Sequence, residues 1–196
     1  MVRIKDLTHS LLAFVFCFFM ALPQSNAENG REHLSQLVSG SMVLMLRHAY
    51  APGTSDPPDF RLDDCTTQRN LNDEGRAQAR RLGAYLRQAG IREADVYSSQ
   101  WCRCLETAAL LDLGEVRELP ALNSFYDRPA DRKARVSATR AFLASLGERT
   151  NRPVVLVTHF VTISAIAGTS VRSGAGILLD LNGTADPVLV RRFVIE

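Results

Sequence analysis

Two histidines in this chain stand at the ends of apolar runs. Met42–Leu46 (MVLML) leads directly into Arg47-His48, and Pro153–Thr158 (PVVLVT) leads directly into His159. A continuous apolar run of this length reads as a strand buried on both faces of a parallel sheet. In open α/β sheets, ligands sit outside the carboxyl ends of the strands. His48 and His159 are therefore expected at one rim, with Arg47 beside the first. Arg103 falls in the helix that follows a third strand end, Tyr97-Ser98-Ser99, and is expected to join them. Two imidazoles and two guanidiniums with no acid next to either histidine select an anion. Guanidinium forks fit phosphate oxygens and stay charged at any working pH. Nearby positive charge pushes an imidazole toward its neutral form. A neutral ring nitrogen can attack phosphorus, giving a covalent intermediate that water then cleaves. Two arginines and a second histidine, able to donate to a phosphoryl oxygen if protonated, would match the charge spread over the transition state.

Other chemistries fit less well. Paired histidines could hold a metal, but Arg47 would repel a cation. A Ser-His-Asp hydrolase would need a nucleophile elbow of the Gly-x-Ser-x-Gly type, which is not present. Each histidine taken singly reads as a structural hydrogen-bonder; it is the set that points to a site.

The elements that must position this set can be read from the hydropathy pattern. Residues 49–70 are polar and rich in Pro, Gly and Asp, which predicts a long functional loop. Asn72 caps a helix whose apolar face is Leu71, Gly75, Ala79, Leu82 and Leu86, ended by Gly90. Strands are predicted at Asp95–Ser98 and Glu115–Leu119, and helices at Gln100–Leu111, Asp131–Leu146 and Val161–Ala167. The Asp131–Leu146 helix has Val136, Ala138, Phe142, Leu143 and Leu146 as its apolar residues. A short helix is expected at Glu32–Val38. Asn182-Gly183 predicts a two-residue hairpin between Gly176–Leu181 and Pro187–Val194. The alternation of strands and helices defines an α/β fold: a three-layer sandwich with a mainly parallel central sheet, helices on both faces and an antiparallel edge.

At the N-terminus, Arg3 and Lys5 precede the apolar run Leu11–Leu22, and Ser25-Asn26-Ala27 follows it. This is the layout of a signal peptide cleaved after Ala27, leaving residues 28–196 as one domain. The run of 12 residues is short for a membrane span. A periplasmic or secreted location and no stable membrane insertion after cleavage are expected. The formal net charge is +2, which gives no pull toward nucleic acid. Of four cysteines, Cys17 lies in the leader. Export favours one disulfide, between Cys65 and either Cys102 or Cys104.

These residues resemble the histidine phosphatase superfamily, the phosphoglycerate mutase-like fold. Leu46-Arg47-His48-Ala49 is similar to its Arg-His-Gly signature. Leu71-Asn72-Asp73-Glu74-Gly75-Arg76-Ala77-Gln78-Ala79 resembles its Leu-Thr-x-x-Gly-x-x-Gln-Ala helix start. Tyr97-Ser98-Ser99 with Arg103, Thr107 and Ala108, and Val157-Thr158-His159, resemble two further segments in family order. The resemblance implies His48 as nucleophile, with Arg47, Arg103 and His159 forming the phosphate pocket and binding substrate. It implies no metal and no organic cofactor. Ala49 departs from the usual Gly. The larger departure is at Leu122-Asn123-Ser124, where many members carry a Glu that protonates the leaving group and this chain has no acid. Small members without that Glu include phosphohistidine phosphatases of signalling proteins. Another similar group is the exported phosphatases of the lipopolysaccharide core heptose, favoured by the export signal, the size and the loop cysteine.

Without that Glu, Asp63, Asp64 or Asp127 is expected to supply the proton, or the substrate must carry a phosphate that leaves easily. Arg61 and Arg69 are candidates for binding a second acidic group of the substrate. The expected substrate is a phosphorylated small molecule or glycan. The alternatives are a phosphohistidine or other labile-phosphate hydrolase, and a non-catalytic phosphate-binding module. A mutase is disfavoured, since the chain lacks long insertions that would enclose a phosphoglycerate.

Overall fold

The protein is described from a computed structural model, which covers residue 34 and residues 36–147, 150–181 and 188–193. Residues 1–27, read above as a signal peptide, lie outside the described residues, as does Asn182-Gly183. No helix among the described residues is long and apolar enough to cross a membrane.

Six strands form one sheet: β1 (Met42–Arg47), β2 (Asp95–Ser98), β3 (Val116–Glu118), β4 (Val154–Thr158), β5 (Gly176–Asp180) and β6 (Val188–Phe193). Their order is β3-β2-β4-β1-β5-β6. The first four in that order run parallel, and β5 and β6 add the antiparallel edge. The helices are α1 (Asp73–Gln88), α2 (Cys102–Leu111), α3 (Arg132–Ser145) and α4 (Phe160–Ala167).

Strand alternation builds two cores. Met42, Leu44 and Leu46 of β1 face a cluster with Leu82, Leu86, Ala108 and Leu111 from α1 and α2. Val43 and Met45 face the other way, into a cluster with Leu143, Ile163 and Ile166 from α3 and α4. This is the three-layer arrangement that an apolar strand buried on both faces requires.

Helix α1 starts as its sequence dictates. Asn72 Oδ1 accepts from the Gly75 N–H at 2.9 Å, and Asp73 and Glu74 occupy the first turn. A Cβ on Gly75 would lie 1.9 Å from the carbonyl oxygen of Tyr50, so only glycine lets the helix approach the chain just beyond His48.

Several boundaries differ from expectation. Helix α2 begins at Cys102 rather than Gln100, because the backbone at Trp101 is extended (φ −66°, ψ 133°). Strand β3 is shorter than Glu115–Leu119 and half exposed, as an edge strand is. In α3, Ala138 is exposed and Thr139 is buried instead, its hydroxyl donating to the Ala121 carbonyl at 2.9 Å. A small apolar residue gains little from burial, whereas the threonine ties α3 to the turn before Asn123. The β5–β6 register pairs Asp180 with Val188. Residue 34 and residues 36–38 of the expected lead-in helix are helical.

Cys65 pairs with Cys102, which clips the 49–70 loop to the first residue of α2. Cys104 stays free and buried.

Candidate active site

Register delivers the two histidines together. Arg47 pairs with Thr158 across β1 and β4, and the His48 N–H donates to the Thr158 carbonyl at 2.9 Å. The Ser99 N–H makes the equivalent bond to Val157, also at 2.9 Å. His48, Ser99 and His159 therefore leave the sheet at one rim. The imidazoles meet edge to face with centroids 5.5 Å apart. They line a cleft of about 360 Å³ with Arg47, Arg69 and Arg103.

The segment after β1 is held from two sides, which gives physical content to two of the motifs. Ala49 N–H donates to Thr107 Oγ1 of α2 at 3.0 Å. Tyr50 N–H donates to Gln78 Oε1 of α1 at 2.9 Å. The other nitrogen of the amide, Gln78 Nε2, donates to the Ser173 carbonyl at 3.1 Å, closing a brace around the rim.

His48 is 2% exposed. Its Nδ1 lies 2.7 Å from the Ala49 carbonyl oxygen. A carbonyl can only accept, so Nδ1 carries the proton and Nε2 keeps the lone pair. Burial, then the charge of Arg103, and further Arg47 and Arg69, lower its pKa from 6.5 to about 3, against the opposing hydrogen bond to Ala49. The ring is neutral near pH 7. His159 is also held well below the ordinary histidine value, by burial first and then Arg103 and His48. It is therefore neutral rather than the protonated donor the sequence suggested.

His159 Nε2 sits 2.9 Å from Ser99 Oγ. Asn123 fixes the direction of that bond. Its Oδ1 accepts from the Gln100 N–H and its Nδ2 donates to Gln100 Oε1 at 2.8 Å, so Oδ1 faces Ser99 as an acceptor. Ser99 donates its one proton to Oδ1 at 3.2 Å and is left to accept from His159 Nε2–H. Cys104 Sγ lies 3.5 Å from the same nitrogen, but burial pushes its thiol up to about 12, so it stays protonated.

The guanidiniums are anchored with hydrogen bonds to spare. Arg47 donates to the Val171 carbonyl at 3.1 Å and lies over the Phe160 ring at 5.1 Å. Arg69 donates to the Ala51 carbonyl at 2.6 Å. The Nε atoms of Arg47, Arg69 and Arg103 are all buried without a protein partner. Three guanidiniums lining one cleft make a place suited to an oxyanion.

Of the loop arginines, Arg69 enters the cleft while Arg61 is exposed and pairs with Asp64. Of the proposed proton donors, only Asp127 lines the cleft. Asp64 is spent capping the short helical turn at Cys65–Thr67, where its carboxylate accepts from the Thr66 N–H at 3.0 Å. Asp63 is exposed and not among the cleft residues. The local turn chemistry of the loop turns both away. Sequence reasoning missed Asp56, whose carboxylate is buried in the cleft wall against Arg103. Its surroundings, Ser55-Asp56-Pro57-Pro58, carry only the signal of a turn. Among the described residues no cluster of His, Cys, Asp or Glu could hold a metal ion.

Residues 43–128 match the family model of the histidine phosphatase superfamily, branch 1. Solved structures agree in fold. The protein histidine phosphatase SixA bound to tungstate superposes with a TM-score of 0.58 at 18% identity, covering 78% of this chain and 96% of that one. Mycobacterial glucosyl-3-phosphoglycerate phosphatase Rv2419c gives 0.57 at 18% identity, covering 80% and 99%. A putative phosphohistidine phosphatase SixA from Agrobacterium tumefaciens gives 0.55 at 20% identity, covering 80% and 99%. No curated protein matches in sequence. Residues 43–128 are thus similar to the histidine phosphatase superfamily, and the chain has the phosphoglycerate mutase-like fold.

Proposed function

We propose that the chain is an exported phosphatase acting on a phosphorylated small molecule or glycan through a phosphohistidine on His48. One observation carries the reading: a buried, neutral imidazole with Nδ1 tied to a carbonyl offers its Nε2 lone pair among three guanidiniums. Nε2 attacks phosphorus and the P–O bond to the leaving group breaks. Arg47, Arg69 and Arg103 stabilise the charge on the transferring oxygens. His159 takes up a proton once the phosphoryl dianion adds negative charge beside it. Water then cleaves the N–P bond, releasing phosphate and restoring His48. Asp127, at the open side of the cleft, supplies the proton to the leaving oxygen. Export rests on the N-terminal pattern, and the resemblance to heptose phosphatases supports a glycan substrate. The protein acts without a metal.

A second reading, hydrolysis of a labile phosphate such as phosphohistidine, is favoured by the acid-free segment at Leu122-Asn123-Ser124. Asn123 is buried and committed to Gln100 and Ser99, and Ser124 lines the cleft where a proton donor would stand. Two of the fold neighbours described above carry that activity in their names.

The experiment is turnover of p-nitrophenyl phosphate, a sugar phosphate panel and a phosphoramidate, with rapid-quench labelling of the enzyme. A labelled adduct on His48, absent in His48→Ala together with turnover, is expected. Full activity of His48→Ala defeats the mechanism. Cleavage of the phosphoramidate alone selects the second reading, and tight phosphate binding without turnover selects a binding module.

A further inference from the structure

Among the described residues Asp56 has no polar partner outside the cleft and its wall. Its side chain is 2% exposed. One carboxylate oxygen accepts from Arg103 Nη1 at 2.7 Å and from the Arg69 backbone N–H at 3.0 Å. The other accepts from Trp101 Nε1 at 2.9 Å. Burial alone would raise this carboxyl, but the hydrogen bond and charge of Arg103, with those of Arg69 and Trp101, outweigh it and keep the group ionised. Burying an ion pair is an expensive way to join a loop to a helix, and an apolar contact would serve stability as well.

The pair does two things that an apolar contact could not. Arg103 spends Nη1 on Asp56 and on the Arg69 carbonyl at 3.3 Å, while its Nε is left buried and unpartnered. Because a guanidinium is planar and rigid, fixing one corner fixes the direction of the rest. The second effect is charge. Arg47, Arg69 and Arg103 bring three positive charges to the cleft, both imidazoles are neutral, and Asp56 removes one. Asp127, the other acid of the cleft, is exposed at its rim; the groups inside it sum to a net of two, the charge of a phosphoryl group above its second ionisation, near pH 6.

We propose that Asp56 is the positioning residue of Arg103: it aims the free edge of that guanidinium at the phosphoryl site and trims the cup from three charges to two. The site is thereby matched to dianionic phosphoryl groups, as in monoesters and phosphoramidates, rather than to phosphodiester monoanions. This rests on reading the cleft as the phosphoryl site. Without Asp56 the cup holds inorganic phosphate more strongly while Arg103 meets the transition state less well. Ground-state binding rises as catalysis falls.

Trp101 is the sole tryptophan of the chain. It touches Asp56 and lies 5.3 Å from the His159 ring, so its fluorescence reports anion binding. Inorganic phosphate is titrated into wild type, Asp56→Asn, Arg103→Met and the double variant, and p-nitrophenyl phosphate turnover is measured in each. Asp56→Asn is expected to bind phosphate at least roughly fivefold more tightly and to lose at least about tenfold in kcat. A merely structural role would weaken both together, and that outcome, or no change in either, overturns the proposal. In the Arg103→Met background the Asp56→Asn change no longer lowers kcat, because there is nothing left to aim. A further tenfold loss there overturns the proposal even if the single variant fails to fold. Tightened phosphate binding in Asp56→Asn with no wild-type turnover would support the charge-setting role while sinking the phosphatase reading. Wild-type turnover with no Asp56 effect would do the reverse.

Discussion

The imidazoles of His48 and His159 stand 5.5 Å apart in a cleft that keeps both uncharged. The same burial and the same arginines act on each ring, so the pair responds to acid as a unit.

That response has a definite sign. Below the ordinary value of 6.5 the unfolded chain takes up protons at these histidines that the folded chain refuses until about 3 for His48. Stability is full above 6.5 and falls as pH drops through that window, by about 1.4 kcal/mol per pH unit for each ring. Inorganic phosphate in the cleft offsets the loss. Denaturation midpoints at pH 7, 6 and 5, with and without phosphate, measure it. His48→Gln should remove one proton from the slope, and an identical slope in that variant would contradict the buried neutral state.

Arg69 and Arg103 each present a buried Nε with no protein partner. Replacing either with Ala is expected to cost about 3 kcal/mol in kcat/KM, roughly a hundredfold. Steady-state kinetics on the substrate found in the panel decides it. Arg61→Ala, on the exposed side of the loop, should change kcat/KM by less than about twofold.

Thr107 accepts the Ala49 N–H at 3.0 Å inside the core. Thr107→Val keeps the volume but leaves a buried backbone N–H unpaired, at about 1–3 kcal/mol. Because that N–H belongs to the residue after His48, kcat should fall with stability. Urea melts and turnover on the same preparation test this, and unchanged kcat at lowered stability would confine Thr107 to a packing role.

The Cys65–Cys102 disulfide closes a loop of separation 37 that contains Arg69. Loop-closure entropy gives it roughly 4 kcal/mol. Reduction, or the Cys65→Ser/Cys102→Ser variant, should lower the melting temperature and weaken phosphate binding, since Arg69 then rides on a freer loop. A melting temperature unmoved by reductant would mean that the clip carries no stability.

The sequence alone determined the strands that end in His48 and His159, the capped helix after Asn72, the α/β class and the arginine-flanked pair. Each is a local pattern: an apolar run too long to be anything but buried, a cap followed by a helical period, a charged residue just past a strand end. It also narrowed the disulfide to Cys65 with Cys102 or Cys104, but not further, because both thiols sit on one helix and only packing decides which turns to the loop.

Tertiary structure decided what the long loop does. Asp56, Arg69, Asp63 and Asp64 are all charged residues in the same polar stretch, residues 49–70. The fold buries the first two against α2 and sends the others to solvent, through contacts with residues more than thirty positions away. The protonation of His159 was likewise invisible, since it depends on burial and on arginines from three different segments. A pattern of nearby residues can announce an element, but the field inside a cleft is a sum over groups that only the fold brings within reach.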